Sequence, residues 1–320
     1  MNDQQPQITR DVASGRLIGP GVRAMRTVSY AAVGVAAALS VIKLGAWYAT
    51  DSVAMLSSLV DSVLDFLASF INAFAVWTAL RPYDPEHRFG HGKAESLAGL
   101  FQAAIILASV VFVAVESIPR LTDPVPVANG EIGIAIMIVS IVATAILVAM
   151  QHRVIKRTGS LAVTADSLHY KSDLLTNFAV IVGLGLATLA DMPISDPIGA
   201  LLVSAFVVWS VYGILRQSLD ILMDREFPTD VRNRIRAIAT KHTEVVAVHD
   251  MRTRSAGIHS FIQLHIELPA DISFMRAHLI SDEVEHDIRR AFPETDVIIH
   301  MDPEGVPEER ARFAETRHPH

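Results

Sequence analysis

The chain has 320 residues, 51% of them hydrophobic, a formal net charge of -7 and no cysteine. Without cysteine there are no disulfides and no thiolate metal sites, so any metal must be held by imidazole, carboxylate or backbone oxygen. No basic patch suits nucleic acid, and no phosphate-cradling glycine loop ending in Lys-Ser or Lys-Thr occurs, so neither nucleic acid nor nucleotide is an expected partner.

The polar arm Met1–Gly19 lacks the apolar centre of a cleavable signal peptide. Six apolar stretches follow, each reaching the roughly 20 residues that cross a bilayer. They are Val22–Tyr48, Ser52–Leu80, Ala94–Ile118, Glu131–His152, Leu161–Ala190 and Pro197–Leu222. Arg10, Arg16, Arg23 and Arg26 precede or open the first. Arg81, Arg88 and Lys93 lie between the second and third, and Arg153, Lys156 and Arg157 between the fourth and fifth. The alternate connections near Thr50-Asp51, Thr122–Gly130 and Asp191–Asp196 hold no Lys or Arg, which predicts both termini in the cytoplasm. Trp47, Tyr48 and Trp77 near span ends fit an interfacial aromatic belt.

Beyond Leu222 the pattern becomes that of a water-soluble domain. Thr229–His242 reads as an amphipathic helix, Val245–Arg254 and His259–Glu267 as strands, Ser273–Phe292 as a helix and Asp296–His300 as a strand. The expected organisation is an arm (1–20), an all-α six-helix transmembrane bundle (21–223), a small α+β domain of order α-β-β-α-β (224–304) and a charged, disordered tail (305–320).

The second and fifth spans are the least purely apolar, and each carries metal-ligand residues one turn apart: Asp61 and Asp65, then His169 and Asp173. Residues at i and i+4 share a helix face. Ionisable groups in a span are costly and mark function. Two such faces brought together offer three carboxylates and one imidazole to a divalent ion such as Zn²⁺, and the same set suits Fe²⁺, Mn²⁺ or Cd²⁺. Ligands must lose protons to bind metal, which predicts exchange of metal against protons. In the loop Asp84–His91, one carboxylate and two imidazoles (Asp84, His87, His91) can close on a single metal. In the last domain, His249 and His265 lie on predicted strands, His278 on a helix, and His300 and Asp302 two apart at a strand end. His242, His259 and His286 read as surface residues.

The chain resembles the cation diffusion facilitator family, especially its bacterial ferrous-iron and zinc efflux branch. The resemblance is carried by Leu59–Asp65, Phe89–Ser96, His169–Asp173, Leu222–Arg225, His249–Arg254 and Val297–Pro303, which run over nearly the whole chain. It implies a homodimer that exports divalent metal in exchange for protons by alternating access, with a metallochaperone-like cytoplasmic domain acting as dimer clamp and metal sensor. It carries Asp61, Asp65, His169 and Asp173 over as the transport site, and Asp84, His87 and His91 as a second site. It makes His249, His265, His278, His300 and Asp302 a two-metal site with Asp302 bridging, and it pairs Lys93 with Asp224. Met301 stands where relatives often have a polar residue.

Two other functions use the same residues. A membrane metalloenzyme would need an open coordination position and a nearby base, for which Asp166 is the nearest candidate. A membrane metal sensor would need only the C-terminal cluster, yet both clusters are present.

Overall fold

The computed structural model describes residues 9–10, 17–50, 53–121, 131–189 and 195–306. The expectations for the charged tail and for most of the N-terminal arm therefore lie outside the described residues. The chain divides into two units, Met1–Leu219 and Asp220–His320.

In the first unit, after the two-residue strands β1 (Thr9–Arg10) and β2 (Leu17–Ile18), come six long helices. These are α1 (Pro20–Thr50), α2 (Val53–Ala79), α3 (Ala94–Arg120), α4 (Glu131–Thr158), α5 (Leu161–Leu189) and α6 (Ser195–Leu222). Each falls on one of the six apolar stretches. Among the described residues, five of them (all but α5) are long and apolar enough to cross a membrane. The other, α5, carries Asp166, His169, Lys171 and Asp173 in its first half. Helix α5 packs against α4, α3 and α2, while α1 lies along α2 and α4. Helices α3 and α6 meet through Ala103, Ile106, Val207 and Val211. They are close at Gly99, where an added Cβ would stand 2.6 Å from Ser218 Oγ.

The turn into α5 is built from local chemistry. Gly159 takes φ +65° after the last residue of α4 and donates to Ile155 O at 2.8 Å, a C-terminal glycine cap. Ser160 then caps α5, its Oγ accepting from Val163 N at 3.3 Å. Glu95, on the first turn of α3 and only 1% exposed, accepts from Ser160 Oγ and Leu161 N, both at 3.0 Å. A buried carboxylate at a helix N-terminus satisfies donors the helix leaves open and suits its dipole. The start of α5 is thus fastened to α3.

The second unit holds α7 (Thr229–Ala239), β3 (Ala247–Ala256), β4 (His259–Leu268), α8 (Phe274–Ala291) and β5 (Thr295–Pro303). Strand β4 is central, antiparallel to β3 and parallel to β5. Its alternation sets the core: Ile262, Leu264, Ile266 and Leu268 point to one face, against Ile235 of α7 and Ile280, Val284 and Ile288 of α8. Ser273 caps α8 by accepting from Arg276 N at 3.2 Å. Ile262 is fully buried at the centre of this core. Ile262→Ala is expected to destabilise the domain by about 2–5 kcal/mol through lost burial and the cavity left behind. Calorimetry of the full-length protein, following the cytoplasmic transition, checks this.

Of the three histidines read as surface residues, one differs from expectation. His259 is not a surface residue but 5% exposed, folded in at the hairpin where β4 begins opposite Ala256. His286 is exposed, and His242 is half-covered with Nε2 3.1 Å from Glu283 Oε2.

Candidate metal centres

Helices α2 and α5 meet where their polar faces coincide. His169 Nε2 lies 2.9 Å from Asp65 Oδ1 and 3.8 Å from Asp173 Oδ2. His169 is 5% exposed, and the two carboxylates are half-buried. A tetrahedral ion with bonds near 2.0–2.2 Å holds its donors about 3.3–3.6 Å apart. The two observed separations bracket that spacing, so the donor set fits a small divalent ion. Asp61 sits one turn earlier on α2, on the exposed side, and is not among the donors that converge. The reason is geometric: two residues one turn apart on α2 stand about 6 Å apart along the axis, and His169 meets only the later one.

Around this trio lies a polar layer that spacing alone did not indicate. Asp166, 1% exposed, accepts from Gln151 Nε2 at 2.7 Å and Ser69 Oγ at 3.3 Å. Ser69 Oγ is also 2.7 Å from the Tyr170 hydroxyl. Asp166 is therefore occupied tying α5 to α2 and α4. Lys43 on α1 donates to Ser62 Oγ at 2.6 Å and Ser58 O at 3.2 Å, both on α2. The available signal was the polar residues scattered inside otherwise apolar stretches.

The loop between α2 and α3 brings Asp84, His87 and His91 together. Asp84 Oδ1 is 3.2 Å from His87 Nδ1, and Asp84 Oδ2 is 3.3 Å from His91 Nε2. The turn is held by Asp84 Oδ1 accepting from the backbone N–H of His87 (2.7 Å) and Glu86 (3.0 Å), and by Gly90 at φ +79°. The His87 backbone N–H, with the His87 ring and the Glu86 N–H, holds the Asp84 carboxyl below its ordinary range. The depressed value makes this turn's contribution to stability complete above the usual carboxylate pKa and lost as pH falls through the lower folded one. Asp84→Asn is expected to weaken divalent-metal binding in this loop at least about tenfold. Titration calorimetry on the full-length variant reads this; an unchanged isotherm would remove Asp84 from the ligand set.

In the second unit, His249, His265 and His300 stand in one row across β3, β4 and β5, because His249 pairs with His265 and His265 with His300. Adjacent rings are 5.3 and 4.6 Å apart. Asp302, 4% exposed, reaches all three: Oδ2 is 2.8 Å from His265 Nδ1 and 3.4 Å from His249 Nε2, and Oδ1 is 3.1 Å from His300 Nε2. Glu267 Oε1 (3.4 Å) and Asp250 Oδ2 (3.6 Å) add carboxylates beside His249 that the sequence reading did not include. His278 is not brought to this cluster. It projects from the exposed side of α8, where its Nε2 is 3.5 Å from Asp282 Oδ2, because α8 turns its apolar face to the sheet. Asp224, at φ +54°, has Arg254 Nη1 3.5 Å from its carboxylate.

Residues 29–223 match the description "Cation efflux transmembrane domain", and residues 227–304 match "Cation efflux protein, cytoplasmic domain". The cation-efflux pump FieF of Salmonella schwarzengrund (strain CVM19633) is 40% identical over 292 residues, covering 91% of this chain and 97% of its own. FieF of Yersinia pestis (strain Pestoides F) is 39% identical over 289 residues, covering 90% and 96% respectively. A solved chain named for the zinc transporter CzrB is 36% identical and covers 25% of this chain and 99% of its own, with a TM-score of 0.24. With both domains matched in order and relatives alike over almost their full length, the chain belongs to the cation diffusion facilitator family: a multi-pass membrane cation-efflux transporter, not an enzyme.

Proposed function

We infer that this protein exports divalent metal from the cytoplasm in exchange for protons, by alternating access, as a homodimer in the inner membrane with both termini cytoplasmic. Zn²⁺ is the first-choice cargo, with Fe²⁺, Cd²⁺ and Mn²⁺ compatible with the same oxygen and nitrogen donors. The observation that carries the reading is the meeting of Asp65, His169 and Asp173 donors on two long helices. Asp61, one turn before Asp65, is the proposed fourth ligand. Carboxylates bind metal when ionised and imidazole when its ligating nitrogen is free, so arriving protons release the ion and departing protons readmit it.

The cytoplasmic cluster is proposed to hold two regulatory ions bridged by Asp302, with His249, His265 and His300 as nitrogen ligands. Metal that binds one arrangement of this domain better than another shifts the population towards it, by its differential affinity alone. Asp84, His87 and His91 are the proposed loop site. Lys93 and Asp224 are the proposed ion pair that locks the bundles near the membrane surface.

The test is a vesicle experiment with two dyes. Reconstituted protein under an imposed pH gradient should move Zn²⁺ one way and protons the other, each stopping when its counterpart is withheld. Metal flux without proton counterflow sinks the exchange; no flux of Zn²⁺, Fe²⁺, Cd²⁺ or Mn²⁺ sinks the transport reading.

A further inference from the structure

A cation is built into the wall of the transport site. Lys43 lies in an apolar run of α1 between Ile42 and Leu44, and it is half-buried. A lysine in a membrane span is costly and usually extends towards the water boundary or serves a function. Here its ammonium is turned onto the neighbouring helix instead. Lys43 Nζ donates to Ser62 Oγ at 2.6 Å and to the Ser58 carbonyl at 3.2 Å. Ser62 is 2% exposed and directly follows Asp61. Ser40, one turn earlier on α1, donates to the Ser62 carbonyl at 2.9 Å, so the same stretch of α2 is gripped twice. Asp65, Asp61 and Asp173 all act electrostatically on the ammonium. A positive group cannot ligate a metal ion, so its place beside three carboxylates needs another account.

We propose that Lys43 is the fixed countercharge of the transport site, an ammonium fastened to α2 that weakens the hold on divalent cargo and thereby speeds its release. This rests on the reading of Asp61, Asp65, His169 and Asp173 as that site. Three carboxylates and one divalent ion leave one negative charge uncompensated; the ammonium cancels it. When the ion leaves, the ammonium offsets part of the charge it leaves behind. Both effects favour the empty state relative to the same carboxylates without a lysine, because unit charges at this range in a partly desolvated site interact appreciably. The site is thus tuned for turnover over retention.

The alternative is a plain tie between α1 and α2, and three substitutions separate the two. Lys43→Met keeps the length without the charge, Lys43→Arg keeps the charge, and Ser62→Ala loosens the tie while leaving the lysine. Full-length protein is titrated with Zn²⁺, and the membrane-site isotherm is taken as the difference from the same protein carrying Asp65→Ala. Lys43→Met is expected to tighten Zn²⁺ binding about tenfold, with KM falling and maximal flux falling in vesicles. Lys43→Arg should track the unchanged chain, and Ser62→Ala should stay within about twofold of it. Equal or weaker binding by Lys43→Met, failure of Lys43→Arg to restore, or equal effects of Ser62→Ala and Lys43→Met would each overturn the countercharge. An unchanged chain with no Asp65-dependent isotherm fails differently: it removes the transport site itself.

Discussion

Vesicles containing the Asp65→Ala or His169→Ala protein are expected to carry no divalent-metal flux above protein-free vesicles, a loss on the order of a hundredfold or more. His169 Nε2 is the atom at which the two helices converge, with Asp65 on one side at 2.9 Å and Asp173 on the other at 3.8 Å. Among the described residues, removing the imidazole deletes the one nitrogen of the converging donors, and removing Asp65 deletes the one converging donor from α2. Neither change touches the contacts of Asp166 with Ser69 and Gln151, which hold α5 in place. The variants should therefore keep the helical content and oligomeric state of the parent, read by circular dichroism and gel filtration with light scattering. Flux within about twofold of the parent in both would place the pathway elsewhere.

Asp302→Ala is expected to abolish metal-induced compaction of the full-length protein, followed by small-angle scattering, and to lower Zn²⁺ affinity of the cytoplasmic cluster about a hundredfold. The carboxylate is 4% exposed and touches three imidazoles from three strands. No other side chain in the domain makes those three contacts among the described residues. Without it, no carboxylate joins the three rings, Glu267 and Asp250 reach only His249, and a bound cation loses much of the charge that offsets its desolvation. Asp302→Asn keeps a hydrogen-bond acceptor without the charge and should fall between the two. Zn²⁺ flux should persist in both, since the α2–α5 site is untouched. Unchanged compaction in Asp302→Ala would end the sensing role of this cluster.

The long helices were legible because hydrophobicity over about 20 residues leaves few alternatives. The α-β-β-α-β order was equally readable, since β4 alternates from Ile262 to Leu268 and both cytoplasmic helices carry one apolar face. What the sequence did not disclose was tertiary. The spacing of Asp61 and Asp65 places both on one face of α2, yet only a packed pair of helices decides which of them meets His169. The polar layer of Gln151, Asp166, Ser69 and Lys43 was hidden for the same reason: one hydrophilic residue in an apolar run says that it is paired, not with what. The histidine row hinges on a bulge. Arg252 pairs with Gln263, so regular register would set Asp250, not His249, opposite His265. An extra residue near Asp250, which sits at φ +43°, brings His249 there instead. Nothing in the local sequence announces that irregularity. His259 went astray because a hairpin end can fold a polar ring inward, and alternation cannot foresee it.

Glu95 and Asp166 both fasten the first turns of α5, and a rod held near one end moves most at the other. At about 1.5 Å per residue, His169 lies ~5 Å and Asp173 ~10 Å beyond Asp166. A swing of about 5° about that tie would carry the first by roughly 0.4 Å and the second by roughly 0.9 Å. In such a swing the outer carboxylate would be displaced farther than the imidazole, with the length of the rod alone setting how unequally the two move.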